Sequence, residues 1–434
     1  MSDRRTATSV FVFVGIAVGF LSLLPNQMLA DEYFHWPQAR LFSHGQWAID
    51  PWLATWPTLH FVMSCVLRVF QADALWVGRL MIVGSATLAY VGFMRLTDAL
   101  HQPSPEYVRA REIIALQWFA SPLLLLFCTV VYTDVPALAA LIWAAVGVAE
   151  RRRWLLLVVG IVTIALRQTH VLWFAWFVAW HLALVWREQM ASEKGSLTAR
   201  LMSLARIERA TLIASAGTAL AWLAVVAVTN GIAPGVNSQP AHHISIGGVP
   251  NLFFAMVVWA CAFAPIAAAT FAKFVTSNAS TTAAARGLRR RRILASIAIV
   301  VVVVALASFY FVATLPSNTH PSAMVFVRNQ ALRSLSNPSG RMLMIALCAA
   351  GALAWWRTEF APSVAPFKWP FFLASALYLL PFSLIEQRYY LPMFTLLAAF
   401  RMPQKIRWEW AQLLWSLALS SVLLYHIVYK GRFL

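Results

Sequence analysis

The chain has 434 residues, of which 61% are hydrophobic and only 12% charged, and it carries a formal charge of +18. A soluble protein of ordinary composition holds about 45–50% apolar and roughly 25% charged residues, so this much apolar surface has no aqueous core to fill. A soluble enzyme, a disordered chain and a nucleic-acid-binding domain are excluded, and no nucleic acid is expected as a partner.

Apolar runs long enough to cross a hydrocarbon core, which takes about 20 residues, recur from end to end. They are read at 8–25, 76–96, 112–131, 135–150, 154–169, 171–186, 210–229, 251–273, 293–314, 341–356, 369–386, 389–402 and 410–427. None alternates apolar with polar residues as a barrel strand does. The pattern predicts an all-α membrane protein, a helical bundle of about 12–13 transmembrane helices forming one integral membrane domain over 1–434. The first run is read as a retained helix, because Met28 stands where a signal-peptidase site before Asp31 wants a small residue.

The basic residues orient the spans. With the N-terminus in the cytoplasm, Arg4 and Arg5 and the groups within 95–111, 151–153, 187–209, 273–292, 357–368 and 401–407 all fall on one side, as the positive-inside rule expects. The excess charge is then topology, with a secondary attraction to anionic lipid. Residues 57–70 (PTLHFVMSCVLRVF) are apolar but short. Counting them as a span would put the basic 97–111 loop outside, so they are read as a helix along the membrane surface. Cys65, Cys128, Cys261 and Cys348 sit in apolar stretches with no CxxC spacing and read as small buried hydrophobes.

The opposite connections, 26–75, 132–134, 167–170, 230–250, 315–340 and 386–388, carry many of the acids, amides and histidines. The first opens on Asp31-Glu32-Tyr33-Phe34-His35-Trp36-Pro37-Gln38-Ala39, with two adjacent carboxylates that are costly to desolvate unless they serve or pair with something. The plain alternative is a helix start, with Asp31 capping and Glu32 complementing the dipole. Tyr132-Thr133-Asp134 has the same two readings. Arg167-Gln168-Thr169-His170 breaks an apolar stretch, although an arginine there can also reach lipid phosphate. Glu386-Gln387-Arg388-Tyr389-Tyr390 reads either as a site or as an internal ion pair. His242-His243 has no Asp, Glu or Cys close by in sequence and is weak as a metal site.

Taken together, these motifs resemble those of the GT-C membrane glycosyltransferases, and more narrowly the dolichyl-phosphate-glucose α-1,2-glucosyltransferase family. The resemblance rests on Asp31-Glu32-x-Phe34-His35-x-Pro37-Gln38-Ala39, Gly45 with Asp50-Pro51, Thr55-x-Pro57, Tyr132-Thr133-Asp134 and Arg167-Gln168-Thr169. It continues with His320-Pro321, Arg328-Asn329 and Glu386-x-Arg388-Tyr389-Tyr390-Leu391-Pro392, in the same order. The departures are Trp56-Pro57-Thr58 in place of a Pro-Gly pair, His170 where an Asn is usual, the reversed Arg328-Asn329 and a shortened stretch to Pro392. They bear on the sugar and the acceptor more than on the reaction class, and fit a bacterial relative using an undecaprenyl carrier in the inner membrane, with a periplasmic site.

The resemblance implies transfer of a hexose, glucose first, from a polyprenyl-phosphate sugar to a glycan or lipid-linked acceptor, with inversion. Asp31 is then the first choice of base and Glu32 the second. Arg388, Arg328 and Arg167 are candidates for the leaving phosphate, with Tyr389 and Tyr390 as further donors. His35, Gln38, Asp134, Gln168, His320, Asn329 and Glu386 complete the substrate-binding set, and some of Trp36, Trp47, Trp52 and Trp56 could stack on sugar. Membrane lipid is the surrounding partner. The motifs fix no cofactor, and a divalent cation at paired acids is left open. A mannose- or aminoarabinose-type transferase acting on protein or lipid, and a lipid or sugar transporter, are the competing readings.

Overall fold

The computed structural model describes residues 2–71, 73–192, 196–229, 231–235, 249–276, 283–313, 338–382 and 386–430. Among them the chain is helical throughout, broken only by turns, and the sole extended pairing is an isolated bridge between Phe360 and Arg401. The all-α membrane architecture expected from composition is what is found. Among the described residues six helices are long and apolar enough to cross a membrane, or seven if a pair bent by 86° at Phe263 is one span. The helices Asp134–Ala149 and Arg153–Leu166 are equally apolar but have only 16 and 14 residues.

Two of the apolar runs are interrupted at prolines. The run at 112–131 is helical only to Phe119, after which Ser121-Pro122 opens a series of turns. The run at 251–273 divides into Val249–Ala262 and Ala264–Thr276. Pro122 and Pro265 stand at these breaks, and proline lacks the N–H that would continue the helical ladder. Hydropathy does not register that loss.

The chain divides into two compact units. The first comprises 1–102, 126–244 and 362–378. It holds α1 (Ser2–Leu23), α2 (Glu32–Ser43), α3 (Thr58–Phe70) and α4 (Leu75–Leu100), followed by the helices Asp134–Ala149, Arg153–Leu166, Val171–Ser192, Leu197–Ile207 and Arg209–Val228. Helix Asp134–Ala149 packs against α4 and Arg153–Leu166. Trp143 Nε1 donates to the Leu88 carbonyl at 3.0 Å, and Arg95 forks onto both oxygens of Glu150 at 2.6 and 3.0 Å. α3 packs against α2, leaving Phe61, Val62, Val69 and Phe70 exposed. At 13 residues α3 is too short to span.

The second unit comprises 103–125, 245–361 and 379–434. Trp118, Trp259, Phe263 and Phe394 form its aromatic core, with the Trp259 and Phe263 centroids 4.1 Å apart. A buried ion pair lies beneath it, with Arg401 donating to both oxygens of Glu409 at 2.8 and 2.7 Å. Cys128 and Cys348 are buried as expected, whereas Cys65 and Cys261 are exposed on apolar helix surfaces, where lipid rather than protein would cover them.

Helices Val249–Ala262 and Pro338–Arg357 approach so closely at Gly351 that an added Cβ would lie 2.0 Å from the Met256 carbonyl oxygen. Because the obstacle is backbone, no side-chain rotation relieves it. Gly351→Ala is expected to destabilise the purified protein by about 1–3 kcal/mol, lowering its thermal unfolding midpoint. Gly15→Ala, which meets nothing within 4 Å, is expected to leave the midpoint unchanged.

Candidate active site

The first loop is tied down at Glu32. Its carboxylate is fully buried and accepts four hydrogen bonds. Oε1 takes Arg79 Nε at 3.0 Å and the Val131 N–H at 2.8 Å. Oε2 takes Arg79 Nη2 at 2.6 Å and the Leu29 N–H at 2.8 Å. Arg79, projecting from α4, also donates to the Pro25 and Gln27 carbonyls at 2.8 and 3.0 Å. The turn that feeds α2 places Ala30 at φ +46°, a left-handed conformation costing an alanine roughly 1–2 kcal/mol. That turn is held by the bonds on either side of it.

Asp31 stands beside this ion pair in a different setting. It is half-buried at the N-cap of α2, and its side chain makes no capping hydrogen bond. Its backbone N–H donates to the Tyr132 hydroxyl at 2.9 Å. Helix capping therefore does not account for either acid of the pair. Thr133 likewise occupies the N-cap of Asp134–Ala149 without a side-chain cap. Asp134 is instead ion-paired with Arg167, both buried. An arginine held this way is not reaching for lipid.

Gln168 anchors the far side of the same unit. Its amide Nε2 donates to the Ala54 and Ile232 carbonyls at 2.7 and 2.9 Å, and its own carbonyl receives Trp222 Nε1 at 3.1 Å. Residues 54–56 are thereby brought to the Arg167 turn. Several buried polar atoms in these motifs have no hydrogen-bond partner: Thr55 Oγ1, Trp56 Nε1, Thr133 Oγ1 and Gln168 Oε1. Buried polar groups are normally satisfied, so these four atoms have hydrogen-bonding capacity left, as do buried atoms elsewhere such as Gln117 Oε1 and Gln412 Oε1. His170, where the family pattern has Asn, has a local role. Its Nδ1 lies 2.8 Å from Thr163 Oγ1, whose hydroxyl donates to the Ala137 carbonyl at 2.9 Å.

Other motif residues serve the scaffold. Both ends of the Gln38 amide are engaged by the loop that follows α2, Nε2 donating to Ala48 at 2.9 Å and Oε1 accepting from the Asp50 N–H at 2.7 Å. Trp36 is buried against Gly78 and Met63, while Trp47 and Trp52 are exposed. His35 is buried and pairs with His60, a residue that no motif singled out. Arg79 was missed as well, since one arginine in an apolar run carries no mark of its partner.

In the second unit, Glu386 and Arg388 form a local ion pair, with the guanidinium 5.6 Å from the centre of the Tyr389 ring. Tyr389 stacks on Phe382 with centroids 4.0 Å apart. The Tyr390 hydroxyl donates to Asn251 Oδ1 at 2.7 Å, and Asn251 Nδ2 donates to the Phe382 carbonyl at 2.7 Å, so that hydroxyl proton is already committed. His320, Arg328, Asn329 and the His242-His243 pair lie outside the described residues.

Among the described residues no three His, Cys, Asp or Glu side chains gather as a metal-binding group. With all four Glu32 bonds made, Asp31 and Glu32 do not offer a cation two open carboxylates.

No curated protein and no solved structure matches the chain. A family model does: that of the DIE2/ALG10 family matches residues 25–399. Residues 25–399 run from the loop pinned by Glu32 through the Asp134–Arg167 pair to the helix after Tyr390, and the chain belongs to the DIE2/ALG10 family, the dolichyl-phosphate-glucose glucosyltransferases.

Proposed function

We propose that the chain is an inverting glycosyltransferase that moves a hexose, glucose first, from a polyprenyl-phosphate sugar to a glycan or lipid-linked acceptor. The family match over residues 25–399 carries this reading, and the two adjacent acids differ within it. Glu32 is consumed by Arg79 and two backbone N–H groups, whereas Asp31 is half-buried, does not cap its helix and is fixed through its backbone to Tyr132.

Inversion needs a single in-line displacement. The acceptor oxygen forms a bond to the anomeric carbon as the bond from that carbon to the phosphate oxygen breaks, and the electron pair leaves with the phosphate. A carboxylate on the acceptor side takes the hydroxyl proton, by analogy with the base of inverting glycosidases. Asp31 has that role here. The Asp134–Arg167 pair and the unpartnered atoms of Thr55, Thr133 and Gln168 suit a hydroxyl-rich group. Arg388 has the chemistry to bind a phosphate, because a guanidinium forks onto oxyanions and stays charged at any working pH. The distribution of basic residues supports a cytoplasmic N-terminus and a site on the opposite face, which for a bacterial relative is the periplasmic face of the inner membrane.

A transporter would share one feature, the 86° break between Val249–Ala262 and the helix that follows. It would release no polyprenyl phosphate, which separates the two readings in one assay. Mannose- and aminoarabinose-type transfer is separated by the sugar accepted.

Asp31→Asn is expected to abolish transfer from polyprenyl-phosphate glucose while leaving folded yield and donor binding near wild type. Wild-type turnover would assign the base elsewhere. Glu32→Gln is expected to act on the fold instead. Breaking a buried pair costs about 3–5 kcal/mol, so the variant is expected to lose folded protein in a thermal-stability measurement. For Arg388→Ala, weaker donor binding together with slower turnover is expected, and unchanged donor affinity would count against its role. Cysteines introduced one at a time at 289–292 in a cysteine-free background are expected to react only with membrane-permeant reagent in intact cells. Labelling by an impermeant reagent would reverse the orientation.

A further inference from the structure

The helix Leu197–Ile207 buries none of its own residues against protein. Its first turn is capped by Ser196, whose hydroxyl accepts the Ala199 N–H at 3.2 Å. An isolated helix of 11 residues is marginal in water, so the cap alone does not sustain it. One of its faces has to be covered.

Two stripes divide its surface. Arg200, Ser203 and Leu204 share one side and are half-buried. There Gln189 Nε2, at the end of the preceding helix Val171–Ser192, donates to Ser203 Oγ at 3.4 Å, and Arg200 leans on Met190 Sδ. The stripe turned away from these contacts holds Leu197, Leu201, Met202 and Ala205, with the Thr198 hydroxyl among them. Leu197, Leu201 and Met202 are 65%, 51% and 60% exposed. Arg206 borders the stripe one turn after Met202.

The helix that follows decides what covers this stripe. Arg209–Val228 continues directly from Glu208, buries Thr211 alone against protein, and is long and apolar enough to span. Its 20 residues rise roughly 30 Å, the thickness of a hydrocarbon core, which puts Arg209 at the membrane boundary. The short helix departs from that boundary, and buried Glu208 fixes the corner between the two. Its Oε2 lies 3.2 Å from His181 Nε2 and takes the Thr211 hydroxyl at 2.6 Å.

Charge points the same way. Arg206 and Arg209 flank the corner and are exposed. Of the described acids nearby, Glu208 is buried at the corner and Glu188 is paired with Arg151. The two guanidiniums face outward with the planar forks that bind phosphate oxygens. An apolar stripe bordered by arginines at the end of a span has the chemistry of a helix lying in the bilayer interface.

We propose that Leu197–Ile207 is an in-plane lipid-binding helix. Leu197, Leu201 and Met202 enter the acyl boundary, and Arg206 and Arg209 hold the phosphate of an anionic phospholipid from the leaflet at the Arg209 end of the span. The inference does not rest on the transferase reading.

Two measurements on the full-length protein test it. In nanodiscs, a bimane label at Leu201→Cys in a cysteine-free background is expected to be quenched by doxyl-labelled acyl chains and not by aqueous iodide. At Ala199→Cys, outside the stripe, the reverse is expected. Iodide reaching the Leu201→Cys label overturns the proposal. Protection from both quenchers does so too, because protein, either a second copy or another partner, would then cover the stripe. In native mass spectrometry, the purified protein is expected to bind phosphatidylglycerol more tightly than phosphatidylcholine. Arg206→Gln is expected to weaken phosphatidylglycerol binding about fivefold, and Arg206→Gln with Arg209→Gln about 25-fold, with an unchanged thermal midpoint. Equal affinity for the two lipids, or phosphatidylglycerol binding that survives both substitutions, overturns the proposal. Arg407→Gln, at another exposed arginine, is expected to stay within about twofold of wild type. A loss there equal to that of Arg206→Gln would mean diffuse attraction rather than a site, and would also overturn it.

Discussion

The buried Glu32–Arg79 ion pair is the constraint on which the rest of the first unit depends. A charge withdrawn from water is tolerated only when it is paired and fully hydrogen-bonded, and here both partners meet that demand. Arg79 satisfies Glu32 from α4 and holds the Pro25 and Gln27 carbonyls of the incoming chain. Glu32 in turn holds the Val131 N–H. The end of the first span, the start of α2 and the 131–134 segment are thus fastened to one point. Asp31 and Asp134 take their positions from it, each one to three residues from an atom that the pair fixes. The cost of holding Ala30 in a left-handed turn is offset in the same place.

This arrangement divides labour between residues that look equivalent in the sequence. Two neighbouring acids become a scaffold group and a candidate base. Among the polar residues of the 167–170 turn, Arg167 completes an ion pair, Gln168 clasps the first loop and His170 braces the turn through Thr163. Thr133 Oγ1 and Gln168 Oε1 remain without a hydrogen-bond partner in these loops.

Much of this was legible in the sequence. Composition alone set the all-α membrane class, and the resemblance of Asp31-Glu32, Tyr132-Thr133-Asp134 and Arg167-Gln168-Thr169 to a known pattern named residues that the first unit does bring together. What was not legible depends on distance along the chain or on backbone chemistry. Arg79 lies in an apolar helix 47 positions from Glu32, and periodicity carries no mark of such a partner. His60 sits in a run that reads only as apolar. Gln38 belongs to the most specific motif, yet its amide is engaged by the loop it closes. The runs at 112–131 and 251–273 are apolar throughout, but prolines interrupt the helical ladder within them.

The most direct test of the central claim is a structure of the full-length protein with a polyprenyl-phosphate sugar bound. The account predicts the saccharide in the first unit, with the Asp31 carboxylate on the opposite side of the anomeric carbon from the phosphate and hydroxyls against the Asp134–Arg167 turn. A sugar bound away from Asp31, or Asp31 on the phosphate side of the anomeric carbon, would contradict it.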